Sequence, residues 1–177
     1  MSLMSAAALA SVLSFLIFAI MAALYVAPWL ATRQRAEALT PLLWVHAFRY
    51  VALQIYSAQQ FGFAVSDAAR DQIADGDVIA TILAVISILA LHYRLRMALV
   101  MVWLFVVEAT LDLVNATVAG VREQLFATAS GVTWLILTFY VPALWVSLGL
   151  IVWQLYSRHQ EPLAWPMRKP GFSSPDA

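Results

Sequence analysis

Cysteine is missing altogether: the 177-residue chain contains 0 of them. That absence removes disulfides, thiol catalysis, iron–sulfur ligation and cysteine-based zinc sites together. It also excludes membrane enzymes that form disulfides through a thiol relay. Charge is scarce, at 11% of residues, where an ordinary soluble domain carries about 25%. The formal net charge is +0, so no basic surface points to nucleic acid or to anionic lipid. No Gly-rich phosphate loop, HExxH pair or serine elbow occurs. No metal site follows from the residues, and the methionines, such as Met97 and Met101, are expected to pack rather than bind copper.

What the chain has in excess is apolar surface. Hydrophobic residues make up 63% and the mean hydropathy is +0.83. A soluble fold of this size has too little interior to hide that surface, so lipid is the expected solvent for much of it. Five apolar stretches stand out, at about 6–30, 41–63, 78–91, 97–121 and 131–156. Spanning a bilayer takes about 20 residues, which makes the third stretch short. The reading is an all-α, multi-pass membrane protein: a single five-helix transmembrane domain over 1–159 and a flexible cytoplasmic tail over 160–177. The tail assignment rests on Pro162, Pro166, Pro170 and Pro175 among Gly and Ser.

Local punctuation supports the boundaries. Thr40-Pro41 reads as an N-cap followed by a first-turn proline, Ser66 and Ser130 as further caps, and Gly120 as a helix terminator. The first stretch lacks a preceding Lys or Arg and is too long for a signal peptide, so it reads as an uncleaved span. Arg33, Arg35, Arg94, Arg96, Arg158, Arg168 and Lys169 collect on one side under this count. Arg70 and Arg122 lie on the other, in acidic surroundings that include Asp67, Asp71, Asp75, Asp77 and Glu123. Short loops rich in Lys and Arg stay in the cytoplasm, which puts the N-terminus outside and the C-terminus inside. For a bacterial cell this means the inner membrane, and otherwise a plasma membrane. The acidic connection from Ala64 to Asp77 is expected to be either a short external helix or a solvated loop.

Within the apolar stretches stand Arg49, Glu108 and Asp112, joined by His46, Tyr50, Gln54, Ser57, Gln60 and Asn115. Charges inside a span cost about 2.5–3.5 kcal/mol each on insertion scales, so they face the bundle interior and pair. On helical geometry the polar residues of the second stretch share one arc, and Glu108, Asp112 and Asn115 share a stripe on the fourth. Counting depth from the cytoplasmic ends predicts an Arg49–Glu108 ion pair and a Gln54–Asp112 hydrogen bond. Pro142 leaves the carbonyl of Thr138 without its helical donor, and the resulting kink could wall a cavity.

Two functional readings follow. In the first, the polar groups line a pocket that binds or transforms a hydrophobic small molecule such as a lipid, an isoprenoid or a sterol-like compound by proton transfer. Glu108, Asp112 and His46 are then the candidate acid–base groups, while Arg49, Gln54, Asn115, Tyr50 and Thr138 would contact the ligand. In the second, the chain is a non-catalytic accessory subunit with a membrane-protein partner, or a homo-oligomer, and the polar cluster is interhelical glue. Ala80 and Ala84 would supply its close helix contact. No cofactor is expected, apart from the option of haem on His46 with His92 as the nearest second histidine.

Overall fold

A computed structural model describes residues 2–161, and the tail expected over 160–177 lies outside them from position 162 onward. The described residues are all-helical, with no strand. We number the helices α1 (Leu3–Ala31), α2 (Arg35–Ala47), α3 (Gln54–Gln60), α4 (Asp67–His92), α5 (Ala98–Arg122), α6 (Leu125–Thr128) and α7 (Gly131–Ser157). Four of them, α1, α4, α5 and α7, are long and apolar enough to cross a membrane. The second apolar stretch is instead broken into α2, a 3₁₀ segment (Arg49–Leu53) and α3.

The boundaries show what local chemistry decided. α2 begins at Arg35, so Thr40-Pro41 is not its start. Pro41 lies inside the helix, and the Thr40 hydroxyl donates back to the Ala36 carbonyl. α4 begins at Asp67, well before the expected position 78. The Ser66 hydroxyl accepts from the Ala69 amide at its N-terminus, with Asp67 in the first turn to complement the dipole. The acidic connection is therefore neither a separate helix nor a loop; its residues 67–77 are the first turns of α4. α5 runs past Gly120 to Arg122, and the chain reverses at Gln124, whose φ is 52°. Ser130 stands at the N-cap of α7 but makes no capping bond.

Both long helices containing an internal proline carry a π-turn immediately before it. Ala22–Val26 precedes Pro28 in α1, and Ile136–Tyr140 precedes Pro142 in α7. The wider turn passes the hydrogen bonding to an i−5 carbonyl, as Ala27 to Ala22 and Val141 to Ile136 show. The irregularity expected at Pro142 is this π-turn, and Pro142 lines the cavity described below. The two helices lie against each other, with Phe18 edge-on to Phe139 at 4.9 Å.

At one end of the bundle, here the lower end, lie Arg35, His92, Ala98 and Ser157. α4 packs along α5 and α2, and α7 closes the far side of α2. Two arginines tie this end together by capping helix C-termini. Arg35 Nη2 donates to the Leu155 carbonyl at 2.8 Å, and Arg158 Nη2 to the Arg33 carbonyl at 2.7 Å. Arg158 also holds the Glu161 carboxyl below its ordinary pKa through a hydrogen bond. Arg35→Met should lower stability by about 1.5–3 kcal/mol, the scale of a hydrogen bond from a charged donor. Thermal unfolding in detergent checks this, and an unmoved transition would mean that the clamp carries no stability. Ala80 and Ala84, expected to face a partner, are fully buried inside the chain; their small size lets α4 lie close to its own neighbours.

Candidate functional site: a buried guanidinium between two carboxylates

α2 stops at Ala47 in the middle of the bundle. A helix end leaves its last carbonyls without donors, and α7 supplies one of them. Tyr140 donates its hydroxyl to the Val45 carbonyl at 2.7 Å. Ser147 on the same helix donates to the Leu42 carbonyl at 3.2 Å. The break turns the chain so that Arg49, the first 3₁₀ residue, points into the core and is 1% exposed.

The guanidinium bridges two helices. Arg49 Nε donates to Asp77 Oδ1 on α4 at 2.6 Å, and Nη2 donates to Asp112 Oδ2 on α5. Both carboxylates are buried. The register is simple once the helix starts are known. Arg49 stands fourteen positions above Arg35, Asp112 fourteen above Ala98, and Asp77 fifteen above His92. At 1.5 Å per residue all three lie about 21 Å above the lower end.

This geometry corrects the expected pairing. Arg49 meets Asp112 rather than Glu108, and Gln54 bonds Thr133 at 3.1 Å rather than Asp112. The depth count that favoured Glu108 started the second helix at Pro41, six residues late. Asp77, read from sequence as an outer-side residue, is an integral part of the cluster. Glu108 lies one turn below Asp112, with its Oε2 buried and without a protein partner. His46 is fully buried, stands edge-on to Phe105 at 5.0 Å, and both its ring nitrogens lack a protein partner. Phe105 thereby occupies the space beside the imidazole.

The rest of the expected polar arc disperses because the 3₁₀ turn changes the angular register. Tyr50 is 49% exposed, and Ser57 and Gln60 are also on outward faces, while Asn115 is exposed on the unbroken α5. Thr138 is buried but donates to the Trp134 carbonyl of its own helix.

Gly76 allows the close approach. A Cβ at that position would fall on the Asp112 carboxylate. The glycine therefore opens the surface of α4 where Asp112 reaches across to Arg49. Asp77, Gly76 and Thr133 were all missed in sequence. The available signal was the spacing of Asp77 with Ala80 and Ala84, which is one continuous small face at i, i+3 and i+7.

Above the cluster lies a cavity of about 420 Å³. Its walls are mainly apolar, with Val12 and Phe15 of α1, Leu113 and Ala116 of α5, Phe126 of α6 and Leu137 of α7 among them. Arg49 and Asp77 form its polar floor, with Gln54, Thr133 and Tyr140 beside them. Arg49 Nη1 has no protein partner. Such a site can hold an apolar body while offering N–H donors to an oxygen at one end. No cluster of His, Cys, Asp and Glu suited to a metal ion occurs among the described residues.

The fold and site define a class: an all-helical protein with four helices long and apolar enough to cross a membrane, organised around one buried Arg–Asp–Asp cluster. Within that class, the chain belongs to the family described as Domain of unknown function (DUF8737), which it matches over residues 6–156. No curated protein and no solved structure matches it.

Proposed function

We propose that this is a multi-pass membrane protein that binds a hydrophobic small molecule with a polar end in the cavity above Arg49. In this reading the broken α2–α3 segment is a fifth membrane crossing. The N-terminus lies outside, and the lower end, with its arginines, faces the cytoplasm. Lipid covers the outward Ile, Leu and Val side chains of α1, α4 and α5. Residues 1–159 then form one transmembrane domain.

One observation carries the proposal: a mainly apolar cavity whose floor is a charged, discontinuous helix. Irregular backbone at membrane depth is tolerated where it is buried or lines a cavity. Intramembrane charges at such breaks belong by default to binding sites. A carbonyl, hydroxyl or carboxylate oxygen would accept from Arg49 Nη1, while an isoprenoid, acyl or sterol-like body fills the apolar part. Asp77, which shares that floor, is placed to exchange a proton with the bound group.

The alternative of an accessory subunit draws support from the cluster itself, since Arg49 joins α4 and α5 as glue would. Mass and absorption spectra of the gently purified protein separate the two. The pocket reading expects a stoichiometric hydrophobic compound in the wild type and its loss in Ser11→Phe, which reaches into the cavity from α1, a helix that carries no residue of the ion cluster. A partner subunit with no small molecule would favour the accessory reading. Equal compound in both proteins would place binding elsewhere.

A further inference from the structure

A second polar layer lies one helical turn below the ion cluster, and each cluster residue has a counterpart in it. His46 precedes Arg49 by three positions, and Glu108 precedes Asp112 by four. Thr81 follows Asp77 by four, because α4 runs opposite to α2 and α5. Residues three or four apart share a helix face, so His46, Thr81 and Glu108 come to one level on three packed helices. They stand eleven, eleven and ten positions above Arg35, His92 and Ala98.

Each of these residues carries a buried polar atom without a protein partner: Nδ1 and Nε2 of His46, Oγ1 of Thr81 and Oε2 of Glu108. Arg49 Nη1 joins them from the layer above through one of its two N–H groups, the other remaining for a group in the cavity. Nearly every buried polar atom in a folded protein is hydrogen-bonded to protein or water, so five orphans in two adjacent layers point to water between the helices. A water molecule serves about three such groups at once. The donor and acceptor set suits water: an imidazole offers one of each, a hydroxyl both, and the guanidinium donates from above. Charge favours a proton as well, which cuts the uncompensated negative charge from two to one. Three carboxyls, Asp77, Asp112 and Glu108, share one guanidinium. Of the other titratable groups nearby, His46 belongs to the layer itself and Tyr140 already donates its hydroxyl proton to the Val45 carbonyl.

We propose that His46, Thr81 and Glu108 form a hydrated proton-holding site, from which Glu108 passes its proton through water to Asp112. In that step the Glu108 O–H bond breaks as water accepts its proton. The same water gives up another to a carboxylate oxygen of Asp112. Glu108 is left as the anion, Asp112 as the acid, and no other group changes. The site rests on the buried groups alone and requires no ligand in the cavity above.

Infrared spectroscopy of the full chain in lipid nanodiscs tests this, using glutamate labelled with carbon-13 at the side-chain carboxyl. Glu37, Glu123 and Glu161 are the other glutamates. A protonated carboxyl band at neutral pH should move with the label, vanish in Glu108→Gln and shift within seconds of transfer to heavy water. Thr81→Val and His46→Phe should keep the band but slow its exchange about tenfold, as expected when a hydrogen-bonded water loses its place. Should Glu108→Gln fail to fold, the label and the exchange rates in wild type and Thr81→Val still decide. A band that ignores the label means Glu108 holds no proton, and exchange over hours means a dry layer. Exchange equally fast in all three proteins removes Thr81 and His46 from the site. Any of these results overturns the proposal.

Discussion

Arg49→Met should destabilise the protein by about 3–5 kcal/mol, the cost of removing one partner from a buried ion pair. The methionine replaces the guanidinium stem well enough in volume, so the loss arises from charge. Asp77 and Asp112 would be left facing each other without a cation. Arg49 also joins the 3₁₀ segment to α4 and α5, and releasing it frees the break in α2 to move. The decisive comparison is the triple variant Arg49→Met, Asp77→Asn, Asp112→Asn, which has no uncompensated charge and keeps nearly the same shape. It should recover most of the lost stability in denaturation measured in detergent. If the single variant is as stable as wild type, the cluster does not hold the helices together. A folded triple variant also isolates function from folding, because the ligand-binding reading expects it to purify without the bound compound.

Gly76→Ala gives the second large effect, and its sign is opposite to what helix propensity alone would give. Alanine in a helix interior is favoured over glycine by about 1 kcal/mol. Here the added methyl meets the Asp112 carboxylate, and overpacking of this kind costs about 1–3 kcal/mol before any loss of the ion pair is counted. We expect a net loss of stability and a weakened Arg49–Asp112 contact. The clash requires Asp112, so Gly76→Ala should cost less stability in an Asp112→Ala background than in wild type. A Gly76→Ala protein more stable than wild type would place Asp112 somewhere other than against α4.

The elements that were legible are those in which a long apolar run coincided with a helix. α1, α5 and α7 lie within a few residues of the stretches read at 6–30, 97–121 and 131–156. α4 was cut short because Asp67, Asp71, Asp75, Gly76 and Asp77 look like a solvated turn. Only tertiary contact explains that glycine and the last of those aspartates, and a contact between Gly76 and a residue 36 positions later leaves no periodic trace. The break in α2 was illegible for a different reason. Residues 47–53 contain no Gly, Pro or Asn, so nothing local ends the helix there. The interruption is stabilised by donors from elsewhere, Tyr140 on the Val45 carbonyl and two carboxylates on Arg49. The sequence reading put Arg49 and Asp112 in one polar cluster, and the structure pairs them directly. The sequence could not show which carboxylates meet the guanidinium, because that depended on where a helix begins.

The π-turn before Pro142 has a consequence for how the cavity wall tolerates change. One extra residue in a helix rotates everything beyond it by about 100° relative to an uninterrupted α-helix. The upper part of α7, with Thr133 toward Gln54, and the lower part, with Ser147 toward Leu42, are thus aimed by the number of residues between them. Substitutions along 136–140 can alter the lining chemistry and leave that aim intact. Deleting a single residue there would straighten the helix and turn Thr133 away from its partner. The wall is indexed by counting, which leaves its side chains free to vary with whatever the cavity accommodates.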